Sequence, residues 1–229
     1  MRRIGLLGGM SWESSSEYYT LINQLVRERL GGLHSADCLM YSVDFAGIAE
    51  MQAAGRWEEA GDELAAGAKV LEAGGAEFLL LCTNTMHLVA DQVQAAVSIP
   101  LIHLIDVTAA SIRAAGLTDV GLLATGFTME GAFYRERMAG NGVTARPPGA
   151  DDRAMVHRVI YEELCVGKVL PESRAAYRDV IGRLVDDGAE GIILGCTEIE
   201  LLIGPEDSPV PVFPTTRLHA EAAVDAALA

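Results

Sequence analysis

Short apolar runs alternate with longer stretches of helical period along the whole chain. Ile4-Gly-Leu-Leu, Cys38 to Asp44, Phe78 to Leu81 and Leu101 to Ile105 read as strands. Ser14 to Leu30, Trp57 to Ala73 and Met86 to Val97 read as helices; Gly31-Gly32 and Gly74-Gly75 stop the first two, and the third stops before Ile99-Pro100. The pattern then starts again. Val120 to Ala124 and Gly191 to Leu194 read as strands, and Met129 to Ala139, Arg153 to Cys165, Ser173 to Asp187 and Thr216 to Leu228 as helices. A proline-containing loop lies around Pro205, Pro209 and Pro211. Strands alternating with helices predict βαβ units and parallel sheets.

The two halves also resemble each other. Ile4-Gly-Leu-Leu matches Val120-Gly-Leu-Leu. Gly75-Ala-Glu-Phe-Leu-Leu-Leu-Cys matches Gly188-Ala-Glu-Gly-Ile-Ile-Leu-Gly-Cys with one residue of slip. Ile4 precedes Cys82 by 78 residues, and Val120 precedes Cys196 by 76. An internal duplication follows, giving two pseudo-equivalent α/β lobes: residues 1–99 with 212–229, and residues 100–211. The last helix is expected to pack back on the first lobe.

Each repeat ends in a thiol. Cys82-Thr-Asn-Thr follows the apolar run Phe78 to Leu81, and Gly195-Cys-Thr-Glu follows Gly191 to Leu194. Both cysteines are thereby expected at the carboxyl end of a buried parallel strand, where open α/β sheets bind ligands. A thiol ordinarily titrates near about 8.5, and helix N-termini or nearby donors lower that value. Thr83, Asn84 and Thr85 offer donors beside the first thiol, and Thr197 beside the second. Two such thiols suit a two-base reaction, in which one takes a proton from one face of a carbon and the other returns one to the opposite face. One thiolate and one thiol at rest would fit a reaction that runs both ways. A lone buried cysteine is most often a small core residue; the symmetric placement is what sets these two apart. Cys38 and Cys165 lack the polar escort and read as core or surface thiols.

Bulk properties narrow the alternatives. The 229 residues are 50% hydrophobic with 8 prolines, which indicates a folded protein. A net charge of -15 argues against nucleic acid and anionic membranes as partners. No apolar stretch approaches the roughly 20 residues of a spanning helix. The start lacks a secretory pattern, and the four cysteines form no CxxC pair, so a cytoplasmic protein with reduced thiols is expected. His34, His87, His103, His157 and His219 show no metal-ligand spacing. His87 lies close enough after Cys82 to tune a thiol, or else caps or packs. Gly5-Leu-Leu-Gly-Gly lacks the spacing of a phosphate loop and suggests a close backbone approach to a small ligand.

Gly8-Gly-Met-Ser-Trp-Glu-Ser, Ser42-Val-Asp-Phe, Cys82-Thr-Asn-Thr-Met-His, Gly195-Cys-Thr-Glu-Ile and His219-Ala-Glu-Ala-Ala-Val together resemble the aspartate/glutamate racemase family over nearly the whole length. The resemblance implies two four-stranded α/β lobes with the active site between them, amino acid racemisation without pyridoxal phosphate or other cofactor, and a homodimer. It implies that Cys82 and Cys196 are the acid/base pair. It implies that Asn84, Thr85 and Thr197 hold the substrate's carboxylate and amino group, with Met10 and Gln52 lining the pocket. Thr83 and Glu198 belong to the same substrate-binding set.

One departure bears on the substrate. Aspartate-specific members carry an arginine after the second strand and a lysine before the second catalytic strand. Here Ala46-Gly-Ile-Ala-Glu-Met-Gln holds no cation before Arg56, Val166 stands at the lysine position, and Lys168 is offset by two. A side-chain carboxylate would be poorly held without a cation. The broad-specificity or L-aspartate/glutamate subgroup is therefore expected, with relaxed selectivity for acidic side chains. Competing readings are a maleate isomerase or hydantoin racemase type of the same superfamily, and a non-catalytic small-ligand binding protein. An arylmalonate decarboxylase type is disfavoured because it keeps only one cysteine.

Overall fold

The computed structural model describes residues 1–229, and the chain divides into two units, Met1–Leu104 with His219–Ala229, and Ile105–Leu218. The chain thus leaves the first unit at Leu104 and returns at His219, somewhat later than the sequence boundaries at 99 and 211.

In the first unit β1 (Ile4–Gly8) is followed by α1 (Trp12–Leu30), β2 (Cys38–Ser42), α2 (Phe45–Ala53), α3 (Trp57–Ala73), β3 (Phe78–Leu81), α4 (Ala90–Ala95) and β4 (Leu101–Ile102). The sheet is parallel in the order β2-β1-β3-β4. Both central strands are buried along their whole length, as their continuous apolar runs require. One face packs Leu7, Leu79 and Leu81 against Leu64, Ala68 and Leu71 of α3. The other packs Ile4, Leu6 and Leu80 against Tyr18, Ile22 and Val26 of α1, together with Ala220, Ala223, Val224 and Ala227 from the chain's last helix.

The second unit receives α5 (Leu104–Ala114), which starts in the first. It continues with β5 (Asp119–Ala124), α6 (Gly126–Glu130), α7 (Ala132–Gly140), β6 (Thr144–Arg146), α8 (Ala150–Glu162), α9 (Pro171–Asp186), β7 (Ile192–Gly195) and β8 (Val212–Pro214), then α10 (Thr215–Leu228), which returns to the first unit. Its sheet is parallel in the order β6-β5-β7-β8. The two sheets share one topology, and β3 and β7 occupy equivalent places in it, as the internal repeat predicts.

Several elements depart from the sequence reading. The strand expected over Leu101 to Ile105 stops at Ile102, because Leu104, Ile105, Ala109 and Ile112 recur at helical spacing and bury one face of α5. Gly131, in extended conformation, splits the helix expected over Met129 to Ala139. Met86 lies in a 3-10 turn (Thr85–Val89) that precedes α4, and Cys165 in another (Leu164–Val166) beyond α8. Two short edge strands escape the periodicity: β6 has three residues, and β8 is bounded by prolines, which edge strands tolerate.

Candidate active site

In the first unit the carboxyl ends of β1 and β3 lie side by side. The Cys82 amide donates to Leu7 O at 2.9 Å, continuing the ladder one residue past β3. At the end of β1, Gly9 has φ 93° and an amide that donates to Ser15 Oγ at 2.8 Å. A Cβ there would collide with the backbone of Val43, so only glycine lets β1 turn this closely against the end of β2. Ser11 then caps α1, its side chain accepting from the Ser14 amide at 3.2 Å.

Cys82 is fully buried, with its Sγ–H directed at Leu80 O, 3.9 Å away. The Thr83 amide closes a tight turn onto Leu81 O at 2.8 Å. Asn84 and Thr85 follow, both buried. Met10 belongs to the same buried cluster as Met86, and Gln52 donates from Nε2 to Met86 Sδ at 3.1 Å. The first unit therefore gathers Met10, Gln52 and Met86, and sets Cys82, Thr83, Asn84 and Thr85 in one loop beyond β3.

In the second unit Cys196 stands just past β7 and opens a 3-10 turn, Thr197–Leu201. Its Sγ–H donates to Glu198 Oε2 at 2.9 Å, and Glu198 is itself buried. Thr197 Oγ1 meets Thr216 Oγ1 at 3.1 Å, and the Thr216 amide donates to Glu200 Oε1 at 3.2 Å. The start of α10 thereby fixes the loop that carries the thiol.

Both thiols are raised above their usual range, Cys82 by burial and then by the charge of Cys38, and Cys196 by burial and then by Glu198. This corrects the expectation that local donors lower them: removal from water outweighs the polar escort. Cys165 also raises Cys196. That third thiol, read from sequence as a bystander, therefore lies within electrostatic reach of Cys196.

Residues 7–223 match the family model described as Asp/Glu/Hydantoin racemase. The chain belongs to that family. The broad-specificity amino-acid racemase RacX of Bacillus subtilis is 22% identical over 99% of this chain and 98% of its own length. A candidate Asp/Glu racemase from Yersinia pestis is 50% identical with a TM-score of 0.95, and an aspartate racemase homologue from Pyrococcus horikoshii is 33% identical with a TM-score of 0.90; both align over 100% of either chain. The two parallel four-stranded sheets are thus a racemase fold.

Sequence reasoning placed Glu198 with the substrate; in the structure its carboxylate accepts from the Cys196 thiol. It missed Thr216, whose only sequence signal is its place at the start of the last helix. It also left His87 undecided; that ring bonds Thr83 O and the Leu104 amide. No group of three or more His, Cys, Asp or Glu side chains forms a metal centre. No helix is long and apolar enough to cross a membrane.

Proposed function

We propose that this racemase interconverts L- and D-amino acids with Cys82 and Cys196 as its two acid/base groups and without a cofactor. The single observation that carries the reading is the Cys196–Glu198 contact, which gives one thiol a carboxylate to receive its proton. Cys82 has a backbone carbonyl instead and is the resting proton donor. Cys196 passes its proton to Glu198 and, as thiolate, removes the α-proton. Cys82 protonates the opposite face and is left as thiolate, ready for the reverse reaction. Asn84, Thr85 and Thr197 hold the carboxylate, where negative charge grows as the α-proton leaves. Met10, Gln52 and Thr83 shape the pocket. The assay is α-proton exchange in D2O, followed by NMR with single enantiomers. Absence of exchange from every amino acid tried would leave the small-ligand binding reading.

Glu198→Gln separates the two effects of the carboxylate. Removing a like charge lowers the Cys196 thiol toward its ordinary range, so iodoacetamide at pH 8 should modify Cys196 faster than in wild type. Racemisation should nevertheless fall by about 10²-fold, because the proton acceptor is gone. Unchanged turnover would remove Glu198 from the mechanism.

Side chains without a carboxylate are part of the same proposal. Arg56, the first cation after β2, is bound by Glu50 at 2.8 Å and Glu59 at 3.0 Å. Val166 is exposed on its turn. A clean preference for aspartate over methionine or homoserine would contradict this. The protein is proposed to act in the cytoplasm as a homodimer. Trp12, Tyr19 and Met40 are exposed around one surface cavity of the first unit. A monomer by sedimentation would remove the dimer from the proposal.

A further inference from the structure

Three buried imidazoles meet in the first unit beside the Cys82 loop. The rings of His87 and His103 have centroids 4.6 Å apart, and those of His87 and His219 are 5.9 Å apart. None is more than 8% exposed. The proposed reaction uses none of them, and their neighbours decide what each ring can do.

His87 Nδ1 lies 2.7 Å from Thr83 O. A carbonyl only accepts, so Nδ1 carries the hydrogen. The Leu104 amide points at Nε2 across 3.2 Å. An amide only donates, so Nε2 carries the lone pair. The ring is therefore held neutral in one tautomer by two backbone groups. One of those groups is the carbonyl next to Cys82. The other is the first residue of α5, where the chain leaves this unit.

His219 bonds the same stretch of chain, at the end of β4. Its Nε2–H donates to Ile102 O at 2.8 Å, and Tyr18 OH donates into Nδ1 at 2.9 Å. His219 is also the first residue after the chain re-enters the unit. Ile102 and Leu104, on either side of His103, are thus each bonded by a buried histidine. Packing alone asks for none of this: a leucine or phenylalanine at either histidine would fill space while leaving a carbonyl or an amide unsatisfied inside the protein.

We infer that His87 is a positioning residue for Cys82: through Thr83 O it ties the thiol's loop to the anchored start of α5. The inference rests on the proposed two-thiol reaction. Cys82 stands one residue past β3, and the loop beyond it has one tight turn before the 3-10 helix begins. The Thr83 carbonyl is a backbone group of that turn held by a side chain from farther along the loop.

Two conservative variants separate positioning from packing. In His87→Asn the side-chain amide stands where Nδ1–H stood and keeps the bond to Thr83 O. In His87→Gln the amide oxygen reaches the Nε2 position and keeps the bond from Leu104. α-Proton exchange is then followed separately from each enantiomer. His87→Gln should lose about 10²-fold of exchange from the enantiomer that Cys82→Ser also silences, the scale expected for a small displacement of a reacting group. Exchange from the other enantiomer, which Cys196 deprotonates, should stay near wild type. His87→Asn should keep most of both. Equal losses on both enantiomers, or a His87→Gln variant at least as active as His87→Asn, would overturn the inference.

A second readout does not depend on turnover. The rate at which iodoacetamide modifies Cys82 in ligand-free protein, resolved by peptide mass spectrometry, should rise in His87→Gln and stay near wild type in His87→Asn. If wild type exchanges no amino acid, the racemase reading fails while this rate still decides the positioning role. An unchanged Cys82 rate in His87→Gln would then count against it.

Discussion

Cys82→Ser and Cys196→Ser should each lower racemisation by about 10³-fold or more, because a serine hydroxyl is far too weak an acid to exchange protons at neutral pH in either role. The more informative result is the residue of activity. Each variant keeps one thiol, which can still remove an α-proton from the enantiomer that faces it and return a solvent deuteron to the same face. Exchange without inversion should therefore survive from one enantiomer in Cys82→Ser and from the other in Cys196→Ser. Single-enantiomer NMR in D2O measures both. Opposite handedness in the two variants is the signature of two bases on opposite faces of one carbon. If both variants retain exchange from the same enantiomer, one group does all the proton transfer. If both match wild type, neither thiol takes part.

Much of the arrangement behind that result was legible because it is written twice. The runs Ile4 to Leu7 and Phe78 to Leu81 reappear as Val120 to Leu123 and Gly191 to Leu194. Strands buried on both faces need continuous apolar residues, so these four stood out, and the cysteines after the second and fourth came with them. The edge strands were not legible, because β6 and β8 need only a few residues and one paired side. The start of α5 was misread for the opposite reason. Leu101-Ile-His-Leu-Ile is apolar enough for a strand, and only the later spacing of Ala109 and Ile112 reveals the helix. At the site, the sequence showed which donors lie near each thiol but not how far each thiol is withdrawn from water. Burial raises both, and that depends on residues distant in the chain. The contact between Cys196 and Glu198 was within reach of the sequence, since two residues separate them on a turn. The tether from His87 to Leu104 was not, because nothing local to His87 says where the chain will stand 17 residues later.

The histidine cluster should also make the protein's stability depend on pH in a defined window. Burial, opposed in part by the bond to Ile102 O and assisted by His103, lowers His219 from its usual value to about 4. Tyr18 from α1, the Ile102 carbonyl from β4, His103 and His87 from the 3-10 turn are the groups around it. The folded protein thus binds this proton more weakly than the unfolded chain does. The contribution is fully present above about pH 6.5, where neither state is protonated, and is lost as pH falls toward 4, where the unfolded chain alone takes up the proton. The full span amounts to about 3 kcal/mol, a large share of the stability of an ordinary domain. Urea unfolding of wild type and His219→Gln at pH 7, 5.5 and 4.5 isolates this group from the carboxylates, which titrate in both proteins. The variant should be less stable at pH 7, because it gives up well-placed bonds to Tyr18 and Ile102. The gap should narrow as pH falls, since only wild type carries the histidine penalty. Parallel stability curves would mean that the ring takes up its proton in the folded state as readily as in the unfolded one. The bond from Tyr18 into Nδ1 would then have to reverse its direction at little cost.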